Sequence, residues 1–219
     1  LSLVCSPAAF AATEGATVNI VHAQGTTAVP KNPQRVVVLS PAALDITDAL
    51  GVTVIGVPKT SAHYPAHLAK YNGPDYFDAG TLFEPNFEAL SNAKPDLIIA
   101  GARARDAYGK LSEIAPTISP DIDPHKFLAS MTERTEQLGE IFGKQEKAKE
   151  VLAAFHAQLA DIRKESANAG SAMMLMVNGG KLSAYSPGSR FGFIYDVLGF
   201  KLATTFAETG NHGTSVSPV

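Results

Sequence analysis

The sequence predicts an α/β protein in which two lobes are joined by one long α-helix. Short apolar runs alternate with amphipathic segments over about 110 residues, as expected where buried parallel strands alternate with helices. A segment of helical periodicity at residues 145–167 follows this alternation, and further strand-like runs come after it. The length of 219 residues is enough for one large or two small domains.

The first lobe is predicted over residues 16–143. Residues 16–29 alternate around a Gln-Gly-Thr turn and predict a leading hairpin. The apolar run at 35–40 predicts a buried strand, and Ser40 can cap the next helix with Pro41 at its first position. The remaining predicted elements are a strand at 52–57, a polar loop at 63–78, a helix at 86–93, a strand at 95–101, a loop and helix at 103–114, a short strand at 116–119 and a helix at 127–142.

Residues 145–167 are predicted as one helix, because their apolar positions fall on a single helical face. These positions are Ala148, Val151, Leu152, Phe155, Leu159 and Ile162. Acidic residues in the first turns and basic residues in the last complement the helix dipole, and Asn168 and Gly170 end the helix. At about 1.5 Å per residue it is roughly 34 Å long. We interpret it as the link between two lobes; an ordinary surface helix of one domain is the open alternative.

The second lobe is predicted to begin at residue 171. A strand at 172–177, a hairpin turn at 178–181 and a strand at 182–185 precede a helix at 190–198. Residues 208–217 are predicted as a loop. Because two strands and one helix cannot bury a core alone, we expect the lobe over 171–219 to be truncated, with its later elements missing.

Composition and charge narrow the classes of function. Apolar residues make up 45% of the chain and charged residues 18%, so the chain can bury a core and is not disordered. The net charge is −3 and no basic run occurs, which gives no support for nucleic acid or a membrane surface as a partner. No apolar run reaches about 18 residues, so no transmembrane span is predicted.

The N-terminal segment indicates export. Residues 1–12 are apolar and then small, and they end in an Ala-Phe-Ala pattern, so we expect the remnant of a signal peptide cleaved after Ala11 or Ala12. Cys5 lies in a weak lipoprotein-like context, and a lipid anchor is the less favoured alternative. Since Cys5 is the only cysteine, the mature chain would have no disulfide framework, thiolate metal site or cysteine nucleophile. Such an exported chain fits a bacterial periplasm or cell surface, and the periplasm is the location that we predict.

Motifs of the common enzyme classes are missing from the sequence. No phosphate-binding loop, dinucleotide fingerprint or zinc-protease motif occurs, and the segment at 188–192 lacks the spacing of a nucleophile elbow. His63 and His67 have the spacing of a helical metal pair, but Pro65 between them breaks the helix. No carboxylate pair suggests acid–base work. We therefore predict a protein that is not an enzyme.

Three segments carry a family resemblance. Pro95-Asp-Leu-Ile-Ile-Ala-Gly-Ala-Arg103, continued at 108–117, resembles the first-lobe signature of periplasmic iron–siderophore-binding proteins, the substrate-binding components of ABC importers. Residues 185–199 resemble the loop and helix that open the second lobe, and residues 211–215 resemble a cleft loop of the catecholate subgroup. The resemblance implies the class III periplasmic binding protein fold, in which a single long helix joins two Rossmann-like lobes with the ligand between them.

The resemblance also implies the residues that bind the ligand. Ferric catecholates are anionic, and arginines from both lobes surround them in this family; Arg103 and Arg190 match these positions, with Arg105 as the local competitor. Guanidinium stays charged and donates several hydrogen bonds in a fixed plane, which suits oxyanions. Without the resemblance, both arginines would be taken as surface residues. Tyr64 and Tyr108 are candidates to reach the cleft from the first lobe.

His212 matches the family histidine that binds iron directly. Fe(III) takes six ligands, and a siderophore with only four donor atoms leaves two places open, one of which a neutral imidazole can fill. A solvent-exposed loop histidine is the alternative. The tyrosine and third arginine that complete the family's site are expected beyond Val219.

The resemblance finally implies the partners. We expect a ferric siderophore as ligand, with no intrinsic cofactor, and an inner-membrane ABC permease that receives it, the binding protein acting as a monomer. Glu84 and Glu208 are candidates for docking on the permease. The alternatives are a haem, cobalamin or metal-ion binding protein of the same fold and, from a different class, a secreted α/β hydrolase.

Overall fold

The structure is a computed structural model that describes residues 16–59, 63–206 and 213–216. The predicted signal-peptide remnant, Cys5, Glu208 and His212 lie outside these residues. The described residues begin with the predicted hairpin, in which β1 (Thr17–His22) pairs antiparallel with β2 (Gly25–Pro30). Ile20 and Val29 bury one face of this hairpin in the core.

The first lobe is built on a parallel sheet. Its strands are β3 (Val36–Val38), β4 (Gly56–Val57), β5 (Phe77–Asp78), β6 (Leu97–Ile99) and β7 (Thr117–Ile118), in the order β5-β4-β3-β6-β7. The helices are α1 (Pro41–Ala49), α2 (Phe87–Ala93), α3 (Tyr108–Ile114) and α4 (Phe127–Ile141), with 3-10 helices at Ala66–Asn72, Ala102–Ala107 and Pro124–Lys126.

Both faces of this sheet are covered, which explains its continuous apolar strands. Val36 and Val38 join the core on the side of α1 and α4, whereas Val37 and Leu39 join the core formed with α2 and α3. Every residue of β3 and β6 is buried. Ser40 caps α1 as predicted, although its side chain is 3.4 Å from the nitrogen of Ala43.

Two predicted segments differ from the structure. The predicted strand at 52–57 is limited to its last two residues, and the predicted loop at 63–78 contains a 3-10 helix and β5. The ring of Phe77 lies so close to Gly56 that a Cβ there would overlap it. A two-residue strand that depends on such a contact leaves no periodic pattern in the sequence.

The predicted linking helix is α5 (Gln145–Ser166), which ends one residue earlier than predicted, with Ala167 as its C-cap. Ala148 packs against α4 at Gly139, where an added Cβ would lie 2.9 Å from the Ala148 Cβ. At the other end, Arg163 and Ser166 donate side-chain hydrogen bonds to the carbonyls of Val197 and Leu198. The helix therefore contacts the first lobe near its start and Val197 and Leu198 at its end. Among the described helices, none has the length and apolar character needed to cross a membrane.

The chain beyond α5 forms short strands around one helical turn. These elements are β8 (Ser171–Ala172), β9 (Met174–Asn178), β10 (Lys181–Tyr185), α6 (Phe193–Asp196), β11 (Lys201–Leu202) and β12 (Thr214–Val216). Strands β9, β10 and β12 form an antiparallel sheet, and β8 pairs in parallel with β11.

Three sequence predictions are corrected in this region. The single strand predicted at 172–177 is two strands, because β8 and β9 pair in different sheets. The helix predicted at 190–198 is only the four-residue α6, since a tight turn occupies the residues before it. The predicted loop at 208–217 contains β12, whose pairing with β10 is a long-range contact that local sequence does not record.

Candidate functional site

A cleft opens at the carboxyl edge of the parallel sheet. The connection after β3 leads to β4 on one side, whereas that after β6 leads to β7 on the other, so the two connections diverge between adjacent strands. Open α/β sheets bind ligands at such a point. Residues 39–42 and 101–104, which follow these two strands, line a cleft of about 760 Å³.

The two central loops of the cleft are in direct contact. A Cβ on Gly101 would lie 2.8 Å from the Cβ of Ser40, so only glycine allows the loops to approach this closely. Asp121, which follows β7, accepts hydrogen bonds from the nitrogen of Ala102 at 2.8 Å and from the Ser119 hydroxyl at 3.0 Å. These contacts fix the cleft wall that carries Arg103.

Arg103 and Arg190 line this same cleft, although they are far apart in the sequence. Arg103 is exposed on the 3-10 helix after β6, and its guanidinium carbon lies 5.8 Å from the ring centre of Phe83. Arg190 is exposed as well, and its guanidinium carbon lies 5.2 Å from the ring centre of Phe191. None of the ion pairs found among residues 16–59, 63–206 and 213–216 involves either arginine. Both cations can therefore bind an anionic ligand.

Arg190 is carried by a tight turn of the second lobe. The Ser189 hydroxyl donates to the carbonyl of Ser186 at 2.6 Å, and the nitrogen of Gly188 donates to the Asp196 carboxylate at 2.7 Å. Gly192 closes the turn, because a Cβ there would lie 2.8 Å from the Ser186 carbonyl oxygen. The cleft wall also includes Asp106 and Asp121, so its charge is mixed.

Three other residues predicted for the ligand site do not line the cleft, and neither does Glu84, which was predicted to contact the permease. Arg105 is exposed on the same 3-10 helix as Arg103. The hydroxyl of Tyr108 donates to the Thr117 carbonyl at 3.2 Å. The hydroxyl of Tyr64 donates to the Pro58 carbonyl at 2.9 Å, and burial raises the pKa of Tyr64 to about 12. Glu84 is exposed in the turn next to Phe83.

Ser40, Phe83 and Asp121 are among the cleft-wall residues that sequence reasoning missed. Ser40 and Asp121 follow predicted strands, so the rule that ligands bind at the carboxyl ends of parallel strands could have found them. Phe83 follows β5, a strand too short to predict, and its side chain is 67% exposed at the cleft. In the part of the chain that the structure covers, no group of three histidine, cysteine or acidic residues is arranged to hold a metal ion.

Comparison with known sequences identifies relatives of this chain. The chain matches the periplasmic binding protein family over residues 36–218. The petrobactin-binding protein YclQ of Bacillus subtilis is 40% identical over 194 residues, which are 87% of this chain and 61% of the relative. The ferric-anguibactin-binding protein FatB of Vibrio anguillarum is 35% identical over 204 residues, which are 90% of this chain and 63% of the relative. The chain thus spans about three fifths of the length of these curated relatives.

Solved structures agree with this result. The crystal structure of YclQ matches with a TM-score of 0.87 and 38% identity over 92% of this chain and 72% of that chain. The periplasmic catecholate-siderophore binding protein VctP of Vibrio cholerae matches with a TM-score of 0.83 and 35% identity over 92% of this chain and 73% of that chain. The chain therefore has the class III periplasmic binding fold, mixed α/β with a parallel sheet, and it belongs to the periplasmic binding protein family.

Proposed function

We propose that this protein captures a ferric siderophore of the catecholate type in the periplasm and presents it to an ABC permease. The observation that carries the proposal is that Arg103 and Arg190, one from each side of the linking helix, line one cleft. Relatives named for petrobactin, anguibactin and catecholate siderophores support the ligand class.

The size of the cleft and its two exposed arginines suit this cargo. Its volume of about 760 Å³ falls within the range of small-molecule sites, roughly 300–1,000 Å³. Two exposed guanidinium groups that form no ion pair among the described residues can donate hydrogen bonds to catecholate oxygens. The role proposed is binding and release without catalysis, by a monomer that needs neither a resident cofactor nor nucleic acid.

The remaining predictions from the resemblance belong to the same proposal. We propose that His212 completes the coordination of iron when the siderophore offers four donors, and that Glu84 and Glu208 contact the permease. The proposed domain organisation is a signal-peptide remnant at 1–12, a first lobe at 16–143, a linker helix at 145–167 and a second lobe from 171 onwards. The contacts of α5 at its two ends support this division.

Ligand titration tests the proposal. The chain has no tryptophan and six tyrosines, so quenching of tyrosine emission can follow binding of a ferric bis-catecholate, a ferric trihydroxamate or haem. We expect Arg103→Ala and Arg190→Ala each to weaken binding of the ferric bis-catecholate by about 10- to 100-fold, since a hydrogen bond to a charged group contributes about 1.5–3 kcal/mol.

Arg105→Ala is the matched control, because Arg105 is an exposed arginine on the same 3-10 helix as Arg103 but outside the cleft wall. Its affinity should equal that of the wild type. Unchanged binding by both cleft variants would contradict the proposal. Tight binding of haem without a response to catecholates would favour the haem alternative, and turnover of ester substrates would favour a hydrolase.

A further inference from the structure

Two side-chain contacts connect the lobes beside the cleft. The Nδ1 of His125 lies 2.6 Å from the carbonyl oxygen of Gly188, and the ring centres of Phe127 and Phe193 are 5.9 Å apart. His125 belongs to the 3-10 helix Pro124–Lys126, and Phe127 is the first residue of α4. Because a carbonyl oxygen can only accept, the His125 imidazole donates from Nδ1.

On the first-lobe side, His125 is held close to the cleft wall. Its backbone nitrogen donates to the Asp123 carboxylate at 2.9 Å, and the nitrogen of Asp123 donates to the Ser130 hydroxyl at 3.0 Å. The wall residues Asp121 and Ile122 come immediately before this segment. The backbone that carries the imidazole is therefore held close to the same wall that carries Arg103.

On the second-lobe side, the acceptor belongs to the turn that carries Arg190. The nitrogen of Gly188 donates to Asp196, and the nitrogen of Gly192 donates to the carbonyl of Ser189 at 2.9 Å. These bonds lie on both sides of Arg190 in the sequence, so Gly188 and Arg190 belong to one hydrogen-bonded turn. A restraint on the Gly188 carbonyl is thus a restraint on the position of Arg190.

We propose that His125 is a positioning residue that sets the place of Arg190 opposite Arg103 across the cleft. Among the described residues, α5 is the segment of chain that links the two lobes, and a hinge at the end of that helix would displace Arg190 while leaving Arg103 in place. The hydrogen bond from His125 opposes this displacement, and the ring contact between Phe127 and Phe193 opposes it as well. The part of the proposal that concerns affinity rests on the function proposed above.

Binding measurements with the ferric bis-catecholate test the effect on the ligand. We expect His125→Ala to weaken binding about three- to tenfold, the range of one neutral hydrogen bond. His125→Asn should restore the affinity, because its Nδ2 takes the place of the imidazole Nδ1. In an Arg190→Ala background, His125→Ala should add no further loss, since the residue it positions is gone. Additive losses, or no rescue by asparagine, would overturn the proposal.

A measurement without ligand separates this inference from the proposed function. Spin labels at Glu113→Cys and Lys201→Cys, two exposed positions in different lobes, report the distance between the lobes in a Cys5→Ser background. We expect a broader distance distribution for His125→Ala than for the wild type and a narrow one for His125→Asn. The exposed His156→Ala is the matched control and should leave the distribution unchanged.

An unchanged distribution in His125→Ala would overturn the positioning role whatever the protein binds. A broadened distribution, together with no binding of ferric bis-catecholate by the wild type, would support the positioning of Arg190 and reject the catecholate function.

Discussion

At the scale of single residues, a buried histidine connects the leading hairpin to the sheet. The nitrogen of Gln24 donates to His22 Nδ1 at 3.2 Å, which places the ring proton on Nε2, 2.9 Å from the Thr27 hydroxyl. Thr27 in turn donates to the carbonyl of Thr117 on β7 at 2.9 Å. This chain of hydrogen bonds requires the neutral imidazole, because a protonated ring could not accept from Gln24.

The His22 ring makes stability depend on pH. Burial lowers the pKa of His22 below its ordinary value of 6.5, the nearby Arg134 charge lowers it further, and the Asp121 carboxylate acts in the opposite direction. Below about pH 6.5 the unfolded chain binds a proton at this histidine that the folded chain does not. The free energy of unfolding therefore decreases as the pH is lowered from about 6.5 to the pKa of the folded state.

We expect His22→Asn, which keeps an acceptor near Nδ1 but cannot be protonated, to lose less stability than the wild type between pH 8 and pH 5. Urea unfolding across this range measures the difference, with the exposed His156→Asn as the matched control. Parallel pH profiles for the wild type and His22→Asn would show that the ring does not resist protonation.

At the scale of elements, the predicted apolar face of α5 is buried near the start of the helix and partly exposed near its end. Ala148 and Leu152 are buried against the first lobe, whereas Ile162, on the same predicted face, is 38% exposed. The helical period therefore predicts which residues face one side, but the packing partners decide how much of that side is covered. The hydrogen bonds of Arg163 and Ser166 hold the exposed end to the second lobe.

Truncation of a buried side chain of α5 should destabilise the first lobe. Leu152 is 7% exposed, and we expect Leu152→Ala to lower the free energy of unfolding by about 2–3 kcal/mol through lost burial and the cavity that it leaves. The exposed Gln158→Ala on the same helix should change it by less than about 0.5 kcal/mol. Equal effects of the two changes, measured by denaturant unfolding, would show that α5 is not anchored at Leu152.

At the scale of the whole molecule, the charge of the site differs from that of the chain. The net charge is −3, yet two exposed arginines meet at the cleft. Because Asp106 and Asp121 also line the cleft, an anionic chelate would be attracted where it contacts the two guanidinium groups, and salt screens this attraction.

Binding of the ferric bis-catecholate should weaken about three- to tenfold between about 0.1 and 1 M NaCl, because the screening length falls from about 10 Å to about 3 Å. A neutral ferric trihydroxamate is the control ligand and should show a flat salt dependence. Arg103→Ala should reduce the slope for the bis-catecholate. Equal slopes for the charged and the neutral chelate would contradict attraction of the anionic chelate by the two arginines.

The sequence revealed those parts of the fold and site that local pattern encodes. The strands β3, β6 and β7 were predicted because both faces of the sheet are buried, and α5 because its apolar positions share one face. Strands β5 and β12 were missed because pairing partners far away in the chain define them. Arg103 and Arg105 could not be separated by pattern, since both lie on the same short 3-10 helix.

By itself, then, the sequence determined the α/β class, the linking helix and a family resemblance, because periodicity, capping residues and motif order are local properties of the chain. Only the tertiary structure decided that Arg103 and Arg190 share a cleft, that Arg105 is outside it, and that His125 holds the turn of Arg190. The physical reason is that these arrangements depend on the close approach of Gly101 to Ser40 and on contacts between residues more than sixty positions apart, which no local pattern records.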